Sequence, residues 1–431
     1  MGTMLTGILA DKRARIGSKL RAGLFAAVLL LPNGACEWRQ EKGREARNSA
    51  EPSSGAVSPL IATGKSEKPS RNMLSTRRSG EPAPNVANEL PFTAEAKRLT
   101  DKARFLAGLS VEANGPFAAL CLTEAWKRYA KTAEAQWARF KIGEAKMRAW
   151  AKKELEKAAD PSLPVFYPFS GPDVTFADIF VPAAGEYVLV GLEGVGSVPR
   201  EEAFAGGDLD AEFALYLKSF DDLLGLSFFR TNDLKEDLAN RTIDGVVPII
   251  MVLLARLDKE IMSIEFGGLN EDGEFETASP KPTAVTIRYR GANVTVPRTL
   301  RYFSANLYDG DFLKNKGFRK FVERELTPCF TFMKSASYLM RNSFFGAIRK
   351  TILNISNAIL QDDSAIPYKF YNPAAWDVSL YGHYDAPIKL FKDDFEQELF
   401  EAYRTTPGIK PLGFRFGYSP VSCLLLAVKK K

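Results

Sequence analysis

Histidine is almost missing from this chain: one, His383, stands among 431 residues. Cysteine is scarce as well. Of the four, Cys36 precedes the globular part, and Cys121, Cys329 and Cys423 lie far apart in apolar surroundings. No His/Cys set has the spacing of a zinc site. Three thiols close at most one bridge, so a disulfide framework is excluded and buried structural thiols are expected. No G-x-S-x-G elbow, H-E-x-x-H motif or Walker loop occurs, which removes the most easily read enzyme classes. There is no internal repeat. Nothing in the composition calls for a cofactor or a resident metal.

Charge of one sign is also lacking where a polyanion would need it. The formal net charge is +6, yet residues 91 to 431 carry 44 basic and 44 acidic side chains. A nucleic-acid footprint neutralises phosphates with clustered cations, and a balanced domain can offer one only by segregating its charges onto different faces. Nucleic acid is therefore not the expected partner. The excess belongs to the amino terminus, where Lys12, Arg13, Arg15, Lys19 and Arg21 face one acid, Asp11.

That basic stretch is followed by ten uncharged residues, Ala22 to Leu31. A bilayer-crossing helix needs roughly 20 apolar residues, whereas a secretory signal uses about 7 to 15. Gly34 and Ala35 before Cys36 resemble a bacterial lipobox, in which the cysteine is acylated and becomes the new first residue; Asn33 departs from the apolar residue of that pattern. Residues 1 to 36 thus read as a signal ending in a lipidation site, with an ordinary secreted protein cleaved nearby as the alternative and Met4 as a second possible start. Residues 37 to 90 hold one aromatic, Trp38, among Ser, Pro, Gly, Glu, Lys and Arg. Such a stretch buries too little apolar surface to offset its ordering entropy and reads as a tether. The expected location is the cell envelope, periplasmic or anchored in the outer membrane, with the membrane as partner through the lipid.

Residues 91 to 160 read as a helical segment. Trp126, Ala130, Ala133, Trp137, Phe140 and Met147 recur at three- and four-residue steps, with Trp150 near the same stripe, which predicts a long helix packed on a core. From 161 to 431, strand-like and helical stretches alternate. Val165 to Phe169, a helical piece and Tyr187 to Leu192 suggest a βαβ unit. Helices are predicted at roughly 208 to 226, 244 to 260, 311 to 325, 343 to 355 and 393 to 403. Neighbouring strands are predicted within 283 to 307 around a Gly291-Ala292-Asn293 turn, with Val285, Ile287 and Tyr289 on one side. Further strands are predicted at 328 to 333 and 357 to 361, and a closing pair at 412 to 418 and 421 to 428 joined around Ser419-Pro420. The expected fold is α/β, Rossmann-like, a mostly parallel doubly wound sheet with an antiparallel carboxyl-terminal edge.

VFYPFSGPD (Val165 to Asp173), YVLVGLEGVG (Tyr187 to Gly196), QDDSAIP (Gln361 to Pro367) and the ending FGYSPVSCLLLAVK are similar to a family of uncharacterised bacterial exported proteins, over roughly residues 120 to 430. The resemblance implies one domain across that span and an envelope location, and no activity. The outline also resembles the class I methyltransferase version of the Rossmann-like fold. There the first βα turn offers only Gly171 where a nucleotide fingerprint has several glycines. Glu193, 22 residues on at the end of the next strand, stands where a ribose-binding acid would, or is a turn residue.

Ligands of open α/β sheets collect outside the carboxyl ends of the strands. Candidate catalytic residues are therefore Asp173, Glu193, Asp362 and Asp363, which would crowd into an acidic cleft and raise one another's pKa, and His383 as a general base. Oxygen ligands could also take a hard cation such as calcium. The plainer reading makes Asp173 a helix cap and Asp362-Asp363-Ser364 a turn. Ser170, Gly171, Tyr381 and Tyr384 are candidate ligand-binding residues, the tyrosines offering aromatic faces to a carbohydrate or peptide. The expected function is an envelope-tethered domain that binds a small-molecule or protein partner. The alternative is an envelope enzyme, a hydrolase on the acidic cluster or a methyltransferase-like transferase.

Overall fold

In a computed structural model, the described residues are 92–206, 209–221, 223–224, 244–277, 279–291, 296–418 and 422–431. The expected signal, Cys36, the expected tether, the expected turn at Ala292-Asn293 and the expected Ser419-Pro420 joint lie outside them. The described residues belong to one contact unit, Asn88–Lys431.

Among the described residues, ten strands form one mixed sheet: β1 (Val165–Tyr167), β2 (Glu186–Gly191), β3 (Lys259–Leu269), β4 (Phe275–Glu276), β5 (Ala284–Gly291), β6 (Arg298–Ser304), β7 (Cys329–Met333), β8 (Ser356–Gln361), β9 (Trp376–Gly382) and β10 (Cys423–Lys429). Their order is β4-β3-β5-β6-β2-β1-β7-β8-β10-β9. The block β6-β2-β1-β7-β8 is parallel throughout. Antiparallel strands flank it on both sides: β5, β3 and β4 beyond β6, and β10 then β9 beyond β8. From β1 the chain steps to β2 and β6 in one direction, and later to β7 and β8 in the other, so the order reverses between β1 and β7.

The central strands are apolar on both faces because helices cover both. Successive side chains alternate between two cores. Val165, Tyr167, Leu189, Phe330, Phe332 and Leu424 enter one, and Phe166, Val188, Val190, Met333, Ile359 and Leu425 the other. The first core is closed by helices Ala94–Leu106, Glu124–Glu154, Val174–Phe180, Leu209–Asp221 and Val247–Arg256. The second is closed by Lys316–Glu325, Gly346–Ile355 and Gln397–Thr405. The 31-residue helix Glu124–Glu154 starts at Thr123, whose hydroxyl accepts the Trp126 amide at 3.3 Å. It turns Tyr129, Ala133, Trp137, Phe140, Met147 and Ala151 inward. Helix Val247–Arg256 is buried along its whole length, as a helix apolar on all sides must be.

Three expectations need correction. The helix expected to run to 260 ends at Arg256; Asp258 turns the chain with φ 55°, and the eleven-residue strand β3 follows. Its charged residues Glu260 and Glu265 interrupt the apolar pattern, which hides the strand. Residues 412 to 418 form no strand, and β10 lies between β8 and β9 instead. The antiparallel edge is double, because β5 and β3 extend the sheet on the side opposite the carboxyl terminus.

Candidate functional site

The reversal of strand order places the carboxyl ends of β1 and β7 at the crevice where open α/β sheets hold ligands. From β1 the chain passes through Phe169 (φ 62°) and Gly171 (φ 54°). Ser170 ties this turn to β2: its amide donates to Val190 O at 2.9 Å, and its Oγ accepts the Val190 amide at 3.1 Å. Asp173 then caps helix Val174–Phe180, accepting the Phe176 amide on Oδ1 at 3.2 Å. Its Oδ2 takes the Tyr167 hydroxyl at 3.0 Å and lies 3.3 Å from Lys334 Nζ. The capping reading and the site reading of Asp173 thus describe one carboxylate.

Lys334 follows β7 directly, and its ammonium sits 3.8 Å from the centre of the Phe176 ring. Burial lowers its pKa, while the charges of Asp173 and Asp362 oppose that shift. Across β7, Asp362 Oδ2 accepts the Ser335 amide at 2.8 Å, and Oδ1 accepts the Ser364 amide at 3.0 Å and its hydroxyl at 2.5 Å. Burial raises the Asp362 carboxyl to about 7, helped by the adjacent charge of Asp363. Asp363, also raised by burial, takes the Tyr338 hydroxyl and the Cys423 thiol, the latter at 3.3 Å. A Cβ at Gly417 (φ 74°) would overlap the Asp362 carboxylate, so only glycine lets the last loop pass there.

Glu193 lies one strand to the other side of β1. The Tyr302 hydroxyl donates to its carbonyl at 2.8 Å and lies 3.2 Å from its Oε2. Its carboxylate covers Gly191, where any side chain would overlap it. Beside Asp363, a cavity of about 10 Å³ also borders Glu396, Tyr368 and Cys423, room for roughly one water.

Asp173 and Asp362 are therefore brought together around Lys334, while Asp363, next to Asp362, turns to Tyr338 and Cys423, and Glu193, Ser170 and Gly171 lie on the adjoining β1–β2 ends. Ser170, Asp173, Glu193, Lys334, Asp362 and Asp363 are each at most 7% exposed. The crevice is filled by the protein's own charges. His383 lies elsewhere, past the end of the outermost strand β9, with its side chain 58% exposed and Nε2 2.7 Å from Asp385. Tyr381 donates to Glu154 at 3.0 Å and packs edge-on against Trp150, and Tyr384 is buried, accepting the Glu396 amide at 3.1 Å. Both tyrosines brace the fold and present no open face to a ligand.

Lys334, Tyr167, Tyr302, Ser335 and Tyr338 are the participants that motif reading misses. A lysine immediately after the apolar run CFTFM was the available signal, since the strand-end rule that selects Asp173 and Glu193 selects it too. Strain marks the same place: of the five non-glycine residues with positive φ among the described residues, Phe169, Ser335, Ser337 and Tyr338 lie in the two loops that flank the reversal. Each such residue costs of order 1 to 3 kcal/mol and persists only where its surroundings over-determine it.

At the same carboxyl end of the parallel strands, an exposed aromatic pair forms an apolar rim. Tyr308, after β6, and Phe344, after β7, are 42% and 50% exposed with ring centres 5.9 Å apart. Phe345 and Phe169 support them from below, at 6.1 Å for each of the Tyr308–Phe345 and Phe169–Phe345 pairs. No protein-family model, curated protein or solved structure matches this chain.

Removing one member of the buried pair leaves the other charge uncompensated, at about 3 to 5 kcal/mol. Lys334→Met is expected to destabilise the protein by that amount in urea unfolding. Lys334→Met with Asp173→Asn is expected to recover at least about half; additive losses would show that the two groups do not act as a pair.

The raised Asp362 carboxyl also sets a pH dependence. The folded state holds this proton more tightly than the unfolded chain, so stability falls as pH rises from about 4, the ordinary carboxylate value, to about 7 and is level above it. In Asp362→Asn the slope over this window should shrink, whatever the change in absolute stability; an unchanged slope would assign the effect to other groups.

Proposed function

We propose that this chain is an exported protein, tethered to an envelope membrane through a lipid on Cys36. In this reading its α/β domain is a Rossmann-like binding module that meets a small-molecule or protein partner at the aromatic rim, not inside the crevice. The observation that carries the reading is the exposed Tyr308–Phe344 pair at the same end of the sheet where the strand ends are occupied by Lys334 and its carboxylates. A transferase needs that crevice open to its cofactor and substrate, whereas a rim contact needs no displacement of a buried ion pair.

The Rossmann-like part of the proposal is supported by the parallel block with its reversal between β1 and β7, and by β10, which runs against both β8 and β9. That reversed strand resembles the closing strand of class I methyltransferases, and Glu193 stands at the end of the strand next to β1. The balance of 44 basic and 44 acidic residues over 91 to 431 supports a partner other than nucleic acid. An envelope hydrolase is the second reading. It is favoured by Asp362, whose pKa of about 7 suits a general acid or base near neutrality, and it requires the crevice to open.

Thermal-shift titration of the full chain with sugars, nucleosides including S-adenosylmethionine, and divalent metals separates these readings. The binding module is expected to shift with a ligand of aromatic-stacking character and to lose about tenfold or more in affinity in Tyr308→Ala/Phe344→Ala. A saturable shift with S-adenosylmethionine that Glu193→Gln abolishes would overturn the module in favour of a transferase.

A further inference from the structure

The long helix Glu124–Glu154 has an outer face that neither the core nor the rim uses. Its four acids are all engaged: Glu124 with Lys127 at 2.9 Å, Glu134 with Arg256 at 2.5 Å, Glu144 with Arg148 at 2.7 Å and Glu154 with Lys410 at 2.8 Å. Lys131, Arg139, Lys141, Lys146, Lys152 and Lys153 are exposed, and none of the six makes an ion pair among the described residues. Between their rows run exposed Ala135, Ala138, Ala145 and Ala149, at the three- and four-residue steps that share one helix face. Ile142, 69% exposed, sits at the centre of this face. From Lys131 to Lys153 the face runs about 33 Å at a rise of about 1.5 Å per residue.

We propose that this face docks on an anionic lipid surface. A neutral domain has segregated its charge, and the shape of the segregation selects the partner. Five of the six cations are lysines, point charges on flexible stems that suit a fluid plane of headgroups. The alanines keep the backbone low, which lets the lysines reach the headgroups while Ile142 enters their apolar margin. The face has no exposed aromatic on which a nucleic-acid base could stack. Docking here lays the helix flat on the membrane. The proposal stands with or without acylation at Cys36 and does not use the aromatic rim.

The test is co-sedimentation of the full chain with phosphatidylcholine vesicles, with and without about a third phosphatidylglycerol, at low and high salt. The set Lys131→Glu, Lys141→Glu, Lys146→Glu and Lys152→Glu is compared with Lys314→Glu, Lys350→Glu, Lys369→Glu and Lys392→Glu, which reverses as many exposed cations elsewhere. All eight sites are on the surface, and an unchanged melting temperature confirms folding. Wild-type chain should bind the anionic vesicles in a salt-sensitive way, the helix set should lose about tenfold or more in affinity, and the second set less than about twofold. Equal losses in both sets, or none in the helix set, would overturn the proposal. So would preference of the wild type for duplex DNA over vesicles that only the helix set abolishes.

Discussion

An ammonium group held out of water organises the strand ends of this protein. Lys334 Nζ has a ring face on one side and Asp173 at 3.3 Å on another, and its side chain is 1% exposed. Desolvating two charges costs several kcal/mol each unless hydrogen bonds satisfy what their mutual attraction leaves over, and the neighbouring loops supply those bonds. Tyr167 and the Phe176 amide complete Asp173. The Ser335 amide and Ser364 complete Asp362. Meeting these demands within two short loops drives Ser335, Ser337 and Tyr338 into left-handed backbone, and Gly417 is required where the last loop passes Asp362.

The same accounting explains where the surface charge goes. The Glu124–Glu154 helix supplies Glu134 to Arg256, which is the last residue of a fully buried helix and is itself only 8% exposed. It supplies Arg148 to Asp178, which also lies 3.0 Å from Lys259 at the start of β3. Glu154 reaches Lys410 and Tyr381 on the far edge of the sheet. Glu134 and Glu154 are drawn to neighbouring segments and Glu124 and Glu144 pair within the helix, while six of its cations form the outer face without an ion pair among the described residues. A domain neutral in total becomes basic along one line because this one helix carries nine cations against four acids.

Much of the architecture was legible because it rests on periodicity. Trp137 and Phe140 at helical spacing, and Val285, Ile287 and Tyr289 at strand spacing, all enter the same core. What was illegible rests on context. In β3, Glu260 pairs with Arg290 on the adjacent strand at 2.7 Å, so a charge that weakens the strand pattern in sequence stabilises the sheet in space. In 412 to 418, aromatic residues at strand-like spacing serve loop packing: Phe414 packs tilted and Phe416 edge-on against Phe180. The acids of the site were readable from their places after apolar runs, and their gathering was not, since Asp173 and Asp362 meet through a lysine 161 and 28 residues away. His383 is not brought to these acids for the opposite reason: rarity in composition says nothing about position.

Filling a strand-end crevice with internal charge changes what the frame can do. A neutral, glycine-lined turn leaves room and unsatisfied amides for a phosphate or a ribose; here the turn after β1 instead ends in Asp173, whose own side chain takes the helix amide a ligand would otherwise approach. An incoming anion would have to compete with Asp173 for Lys334, and an incoming cation would have to displace Lys334 itself, each leaving a buried charge exposed to the cost that the pair now avoids. Contact at the rim carries no such penalty, because Tyr308 and Phe344 gain burial without any internal bond being broken. The interaction that closes the crevice therefore also moves the accessible chemistry of this end outward, onto rings held in place by Phe345 and Phe169.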